Sequence, residues 1–256
     1  MTEWNVLQYL KYEKERTRPA VDLADRIRWA NISKAVDIGC GPATSTVLLR
    51  DRFPKARLLG VDFSENMLKK ARETLPDAEF LALDISSENW GLEKDYDLVF
   101  SNACIQWVPD HPKLLRRMME LLRKDGILAV QVPLSRDQPV HQLIAELTQS
   151  KKWRDRFPGT RVFYTLSVDE YYDLLAGLSV EFEIWSTTYC HRMKSYEDII
   201  EWMKGTGLRP YLSVLSSEEE KEFLADMLAG VKKRYSVQRN GEILFRFPRL
   251  FFTAKK

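Results

Sequence analysis

Hydrophobic residues in the first half of the chain form short continuous runs that alternate with amphipathic segments. The runs resemble strands and read KAVDIGC, ARLLGVDFS, AEFLALDI, YDLVFSNA and ILAVQVP. Between them, TSTVLLRDRF, SENMLKKARETL and HPKLLRRMMELLRKDG repeat apolar side chains at helical spacing. Strands that are apolar on both faces and are separated by helices are typical of a parallel sheet with helices on both sides. The pattern therefore predicts an α/β fold with a mostly parallel sheet.

Two residues in this half are predicted to mark helix ends. Ser64 stands directly before the second helical segment, where its hydroxyl can cap the first turn. Gly126 follows the third helical segment and is predicted to close it before the fifth strand begins.

The rhythm changes after Pro133. Residues 138–177 are predicted to be mostly helical around the loop FPGTRVFY. VEFEIWSTTYCH then predicts a strand, and SYEDIIEWMKGTG and SEEEKEFLADMLAGVKKRY predict two more helices. EILFRFPRLFFTAKK is strand-like, with Pro248 at an edge or a bend. One sheet is therefore expected to receive strands from both halves, with the helical pieces between them forming a lid.

Composition and charge narrow the class of protein. The formal net charge is only +2, from 39 basic and 37 acidic residues, which argues against a nucleic-acid ligand. The 3 cysteines contain no CxxC pair, so neither a zinc site nor a disulfide framework is expected. The first segment carries charges throughout, and no 18-residue apolar run is present. We expect a cytoplasmic protein without a metal, membrane contact or obligate protein partner.

A glycine turn follows the first predicted strand. Gly39 and Gly41 can turn the backbone sharply, and the next helix then directs its first amides at an anionic group. A dinucleotide fingerprint would have a third glycine at position 44, where the chain has Thr44. This disfavours a nicotinamide dehydrogenase.

Acidic residues recur where successive predicted strands end. Asp62 ends the second strand, where a carboxylate can accept hydrogen bonds from two ribose hydroxyls. Asp84, followed by Ile85, can accept a hydrogen bond from an adenine amino group. Asp37 precedes the turn and can anchor its amides or, through water, an ammonium group. Together these positions predict an adenosine-containing ligand.

VDIGCG, GVDFSENML, LALDI, DLVFSNA and LLRKDGILAVQVP resemble, in order and spacing, the motifs of the class I S-adenosylmethionine-dependent methyltransferases. The resemblance implies a Rossmann-like sheet and S-adenosylmethionine as cofactor. It also implies that residues 1–133 form the cofactor-binding core and residues 134–256 a helical substrate lid with the last strands. The cofactor-binding residues that it implies are Asp37, Gly39, Cys40, Gly41, Asp62, Phe63, Met67, Asp84, Ile85 and Asn102.

A narrower resemblance covers nearly the whole chain. ERTRPAVDL, NACIQWVPDH, WSTTYCHRM, IIEWMKGTGLRPYL and FPRLFFTAKK are similar to the trans-aconitate 2-methyltransferase family. This resemblance implies that a small polycarboxylate is bound by Arg16, Tyr189, His191 and Arg209, although Arg16 can instead serve the cofactor's carboxylate. The chain departs from the expected motif at Ala43, where a glycine is expected.

The predicted chemistry requires little of the side chains. A carboxylate is already ionised at neutral pH, so its methylation needs alignment and exclusion of water rather than a general base. Accordingly, no catalytic residue is expected, and the chain has no nucleophile–histidine–acid pattern. The alternatives are a different organic acid, an acyl group on a carrier, or a cofactor-binding module without chemistry.

Overall fold

The computed structural model describes residues 13–28, 31–136, 138–158 and 163–256, except for the side chains at positions 13, 14 and 16. The strands are β1 (Lys34–Ile38), β2 (Arg57–Asp62), β3 (Glu79–Ala82), β4 (Tyr96–Asn102), β5 (Leu122–Pro133), β6 (Glu181–Met193) and β7 (Ile243–Lys255). The helices are α1 (Glu13–Asp25), α2 (Thr44–Arg52), α3 (Glu65–Thr74), α4 (His111–Leu121), α5 (Pro139–Gln149), α6 (Val168–Leu178), α7 (Tyr196–Lys204), α8 (Arg209–Leu212) and α9 (Ser217–Arg234). Short 3₁₀ turns occur at Ile105–Trp107 and Arg154–Arg156.

The seven strands form one sheet in the order β3-β2-β1-β4-β5-β7-β6. The pairs β1–β2, β2–β3, β1–β4 and β4–β5 are parallel, whereas β5 and β7 are antiparallel. This confirms the predicted mostly parallel sheet. The strand order reverses between β1 and β4, and a crevice at such a reversal is where open α/β sheets bind ligands.

The chain divides into two compact units. The larger unit contains residues 13–133, 163–187 and 249–256, and the smaller unit contains the described residues of 134–162 together with 188–248. The chain leaves the larger unit after Pro133 and returns to it twice, at residues 163–187 and 249–256. Strands β6 and β7 therefore each contribute residues to both units.

The larger unit buries both faces of its sheet. On one face, Trp185 stacks on Phe251 at 5.2 Å between ring centroids, and the Arg26 guanidinium lies 4.9 Å from the Trp185 ring. Since successive residues of a strand point to opposite faces, Phe252 belongs to the other face, where it packs on Tyr171 of α6. Helix α1 packs on α2 and on β5, whereas α4 packs on α6.

The smaller unit is held together by aromatic side chains. Phe157 packs edge-on against Tyr211 and Phe223 at 5.3 Å, and Trp153 packs against Phe223 at 5.1 Å. Helix α9 packs on α5 and α7, and a Cβ at Gly230 would lie 2.3 Å from a methyl carbon of Leu143. Close helix contact explains the glycine at this position.

The helix-end predictions had different outcomes. The Ser64 cap is confirmed, because its hydroxyl accepts a hydrogen bond from the Met67 amide at 3.4 Å. The prediction for Gly126 is wrong, since α4 ends at Leu121 and β5 begins directly after it. Leu122 already pairs with Tyr96, and the strand then bulges before regular pairing resumes. Pairing with β4 therefore overrides the helical pattern of LLRKDG.

Candidate functional site

The glycine turn after β1 is tied to the neighbouring strand. The amides of Gly39 and Cys40 both donate to the carbonyl of Val61, at 2.8 and 3.1 Å. Gly39 has φ 77°, and a Cβ there would lie 2.2 Å from Sγ of Cys104. Gly41 has φ 54°, but nothing lies within 4 Å of the position that its Cβ would take. Packing therefore requires Gly39, whereas the outer side of Gly41 leaves room for a ligand.

Ala43 keeps the turn that a glycine would make. Its φ of 72° is in the left-handed region, and its side chain is fully buried before the first turn of α2. An L-residue in this conformation costs about 1–2 kcal/mol, part of which the buried methyl offsets. Ala43 therefore adopts a left-handed conformation at the position where a glycine is expected.

Asp37 is a buried carboxyl beneath this turn. Its Oδ2 accepts hydrogen bonds from Ser45 Oγ and Thr46 Oγ1, both at 2.7 Å. Its Oδ1 is buried and has no hydrogen-bond partner among the described residues. Burial raises the pKa of Asp37 to about 6, although the two hydroxyls act in the opposite direction. A buried carboxylate oxygen of this kind is suited to an incoming cation.

Asp62, the last residue of β2, contacts the glycine turn directly. Its Oδ2 accepts the amide of Gly41 at 3.0 Å, and its Oδ1 accepts the amide of Ser64 at 2.9 Å. The carboxylate therefore also fixes the turn, a role that the sequence did not predict. Next to it, Phe63 is half-buried and Met67 is buried in α3.

Asp84 lies beyond the end of β3 rather than in the strand. It is exposed, and its Oδ1 accepts hydrogen bonds from the amide and hydroxyl of Ser86 at 2.9 and 2.6 Å. Ile85 is buried, and its carbonyl accepts a hydrogen bond from Trp90 Nε1 at 3.1 Å. The two residues thus form an ordered turn at the edge of the sheet.

A row of polar side chains follows one face of the sheet near the carboxyl ends of the parallel strands. Strand register and the two-residue period of β-strands assign five side chains to this face: Asp62, Asp37, Asn102, Gln131 and Arg249. All five lie in the larger unit. The row crosses the strand-order reversal between β1 and β4, where ligands bind in this type of sheet.

The second half of this row is also buried. Gln131 is completely buried, and its Oε1 accepts a hydrogen bond from Arg249 Nη1 at 3.4 Å. Arg249 is only 7% exposed. Among the described residues, neither Gln131 Nε2 nor Asn102 Oδ1 has a hydrogen-bond partner. Buried amides are normally satisfied, so these atoms indicate a ligand-binding position.

The predicted substrate residues that the structure describes lie in the smaller unit. Tyr189 is buried, and the ring of His191 packs on Trp202 with centroids 4.6 Å apart. Arg209 is half-buried and begins α8, so Pro210 lies in the first turn of a helix rather than ending one. The side chain of Arg16 lies outside the described residues.

The other two histidines are His111 and His141. His111 bonds through Nδ1 to the Tyr171 hydroxyl at 2.5 Å and through Nε2 to the Ile105 carbonyl at 2.9 Å. Burial lowers the pKa of His141 to about 4, so its ring is neutral at physiological pH. The described residues contain no group of three or more side chains suited to a metal ion. Within the same residues, no helix combines the length and apolarity needed to cross a bilayer.

Four residues of the site were not predicted from the sequence. Ser45 and Thr46 lie in the first turn of α2. Their hydroxyls follow Asp37 and the glycine turn closely in sequence, which was the available signal that they could bond to Asp37. Gln131 interrupts the apolar run ILAVQVP, and Arg249 interrupts FPRLFF. A polar residue inside a buried strand needs a partner, and this was the signal that the sequence contained.

Residues 35–126 match the methyltransferase domain family. The trans-aconitate 2-methyltransferase of Escherichia coli O157:H7 is 42% identical over 256 residues, covering 100% of this chain and 99% of the relative.

Among solved structures, the YcgJ protein of Bacillus subtilis superimposes with a TM-score of 0.61 at 15% identity, covering 93% of this chain and 98% of that one. A phosphoethanolamine N-methyltransferase of Haemonchus contortus in complex with S-adenosyl-L-methionine gives a TM-score of 0.58 at 17% identity, over 93% and 52% of the two chains.

Proposed function

This chain belongs to the trans-aconitate 2-methyltransferase family, and we propose that it transfers a methyl group from S-adenosylmethionine to a carboxylate of trans-aconitate. The observation that carries the proposal is the 42% identity over the full chain, which includes the segment after Pro133. Methyltransferases that share a cofactor-binding sheet differ most in the parts that select the acceptor. A likeness that extends through those parts therefore supports the substrate as well as the cofactor.

The residues at the glycine turn fit the cofactor. Asp37 Oδ1 is an ionisable buried acceptor without a partner in the described chain, which suits the cofactor's ammonium group. The open side of Gly41 would accommodate the amino-acid part, and Asp62 would accept the ribose hydroxyls. Phe63, Met67, Asp84 and Ile85 would surround the adenine, and Asn102 would lie near the methionine part.

When bound, the cofactor supplies an electrophilic methyl group on a sulfonium. The remaining requirements fall on the chain, which must hold the acceptor oxygen in line and exclude water. The acceptor is a carboxylate that is ionised at neutral pH, so no proton has to be removed. Neither His111 nor His141 is therefore needed as a base in the proposed reaction.

A second group of residues is proposed to bind the acceptor. Arg209 would offer the planar pair of donors that binds a carboxylate in two-point fashion. Tyr189 and His191, two residues apart on β6, would contribute a hydroxyl and an imidazole. Arg16 would bind either the acceptor or the carboxylate of the cofactor.

The test is incubation with methyl-labelled S-adenosylmethionine and a panel of acids, followed by mild base. We expect label transfer to trans-aconitate and its release by base, because methyl esters hydrolyse under these conditions whereas N- and C-methyl products do not. Preferential labelling of another organic acid would replace the substrate but keep the reaction. Binding of S-adenosylhomocysteine without transfer to any acid would contradict the proposed activity.

A further inference from the structure

The polar row on the sheet face changes its charge from one end to the other. Asp62 and Asp37 stand at one end, Asn102 and Gln131 in the middle, and Arg249 at the other end. Asp37 and Arg249 are both buried, so water screens this difference only weakly. The charges therefore favour a cationic ligand group at the end with Asp62 and Asp37, and an anionic ligand group at the end with Arg249.

The hydrogen-bonding atoms change in the same direction. At the acidic end, the buried atoms without partners in the described chain are acceptors, Asp37 Oδ1 and Asn102 Oδ1. One strand further along, the corresponding atom is a donor, Gln131 Nε2, and the guanidinium of Arg249 follows it. Donor and acceptor character thus reverses between β4 and β5, which pair directly at Asn102 and Gln131.

We propose that Arg249 binds a carboxylate of the acceptor and that Gln131 is its positioning residue. The inference rests on the proposed function, since it assigns a binding group for the same anionic acceptor. Gln131 Oε1 holds the guanidinium at 3.4 Å, and its Nε2 offers a further donor beside it. A carboxylate with two oxygens matches this set of donors, and its negative charge is kept away from Asp37 and Asp62.

This arrangement also orients the reaction. If the cofactor's ammonium group is bound at the acidic end and an acceptor carboxylate at Arg249, the two ligands would lie on the same face of the sheet, on either side of Asn102 and Gln131. Arg249 would hold a carboxylate that does not react, because a guanidinium bound to the attacking oxygen would withdraw its negative charge. Arg249 therefore selects for acids with more than one carboxylate.

The first test compares Arg249→Lys with Arg246→Lys, a matched change at an exposed arginine of the same strand. Binding of trans-aconitate is measured calorimetrically with saturating S-adenosylhomocysteine, and thermal unfolding is followed in parallel. Lysine keeps the charge but loses the planar fork, so Arg249→Lys should weaken trans-aconitate binding about tenfold to a hundredfold. Affinity for S-adenosylhomocysteine should stay within about twofold, and Arg246→Lys should change neither affinity.

The second test is Gln131→Glu, which places a carboxylate of the same shape beside Arg249. The folded protein should keep its melting temperature, because the new charge is paired, while KM for trans-aconitate rises at least about tenfold and kcat changes little. Gln131→Met cannot form an ion pair with the Arg249 guanidinium and should therefore raise KM for trans-aconitate much less. A purely structural role for Arg249 predicts an unchanged KM in Gln131→Glu.

The outcomes separate this inference from the function on which it rests. If the wild-type protein does not methylate trans-aconitate, the proposed function fails. If the wild type is active but both Arg249→Lys and Gln131→Glu bind the acceptor normally, the assignment of Arg249 is overturned and the function stands. Loss of melting temperature and of cofactor affinity in both variants would likewise overturn it, by showing that the pair supports the fold.

Discussion

If the buried carboxyl of Asp37 binds the cofactor's ammonium group, as proposed, cofactor affinity is expected to depend on pH. Burial raises its pKa from 3.8 to about 6 in the free protein, a difference that corresponds to about 3 kcal/mol. Because the folded-state pKa is raised, Asp37 favours the folded protein most below pH 4, and this contribution is lost as the pH rises through 6. At pH 7.5 the ionised, buried carboxylate therefore destabilises the cofactor-free protein, and an incoming ammonium group would compensate its charge.

We expect S-adenosylhomocysteine to bind about tenfold more weakly at pH 5 than at pH 7.5, with net proton release near pH 6. Asp37→Asn should abolish that dependence. It should also stabilise the cofactor-free protein at pH 7.5 by about 1–2 kcal/mol. Removing the buried negative charge gains more free energy than is lost by leaving one amide hydrogen without an acceptor.

The assays are titration calorimetry in two buffers of different ionisation enthalpy and chemical unfolding at each pH. Ser45→Ala provides a matched control, because removal of its hydrogen bond to Oδ2 should move the inflection to higher pH without abolishing it. An affinity that is flat from pH 5 to 7.5 in the wild type would refute the role of Asp37. So would an Asn variant that binds as tightly as the wild type.

Three further expectations address the turn, the chemistry and the acceptor. Gly39→Ala should destabilise the fold by about 2–4 kcal/mol, because its Cβ would meet Cys104. Gly41→Ala should fold but bind the cofactor at least about tenfold more weakly. Equal effects of the two variants in unfolding curves and in calorimetry would contradict this assignment. At saturating cofactor, the single-turnover rate with trans-aconitate should be flat above about pH 6, and a rise near neutrality would reveal a general base. Arg209→Lys should lower kcat/KM for trans-aconitate by an amount that corresponds to about 2–4 kcal/mol of transition-state stabilisation, and should affect a monocarboxylate much less. Equal decreases of kcat/KM for the two acids would mean that Arg209 supports the fold.

The sequence predicted the sheet well because its parallel strands are buried on both faces. In the run YDLVFSNA, Leu98, Val99 and Phe100 are consecutive, apolar and buried, as expected of a strand that is covered on both faces. The segment LLRKDG was ambiguous, since its leucines fit both the end of a helix and the start of a strand. Only pairing of Leu122 with Tyr96, which lies 26 residues earlier in the chain, decides between them.

The glycine turn and its acids were predictable because they are close together in sequence. The pair formed by Gln131 and Arg249 was not, since 118 residues separate them and neither belongs to a short motif. Asp84 shows a different difficulty, because the sequence placed it at the end of the third strand, whereas it lies in the turn after β3 and bonds to Ser86 there. Local patterns therefore identified Asp37 and Asp62 at the acidic end of the row, whereas only the folded structure identified Gln131 and Arg249 at the other end.

Strand β7 constrains how the chain can change in length during evolution. Phe245 and Phe247 are buried and Arg246 is exposed in the smaller unit, while residues 249–255 pair with β5 in the larger unit. Insertion or deletion of a single residue between these two parts would move the side chains of one part to the opposite face of the sheet. In the first part, Phe245 and Phe247 would become exposed and Arg246 would become buried. Length variation that alters acceptor choice is therefore expected in the loops around α5 to α9, while strand β7 keeps its length.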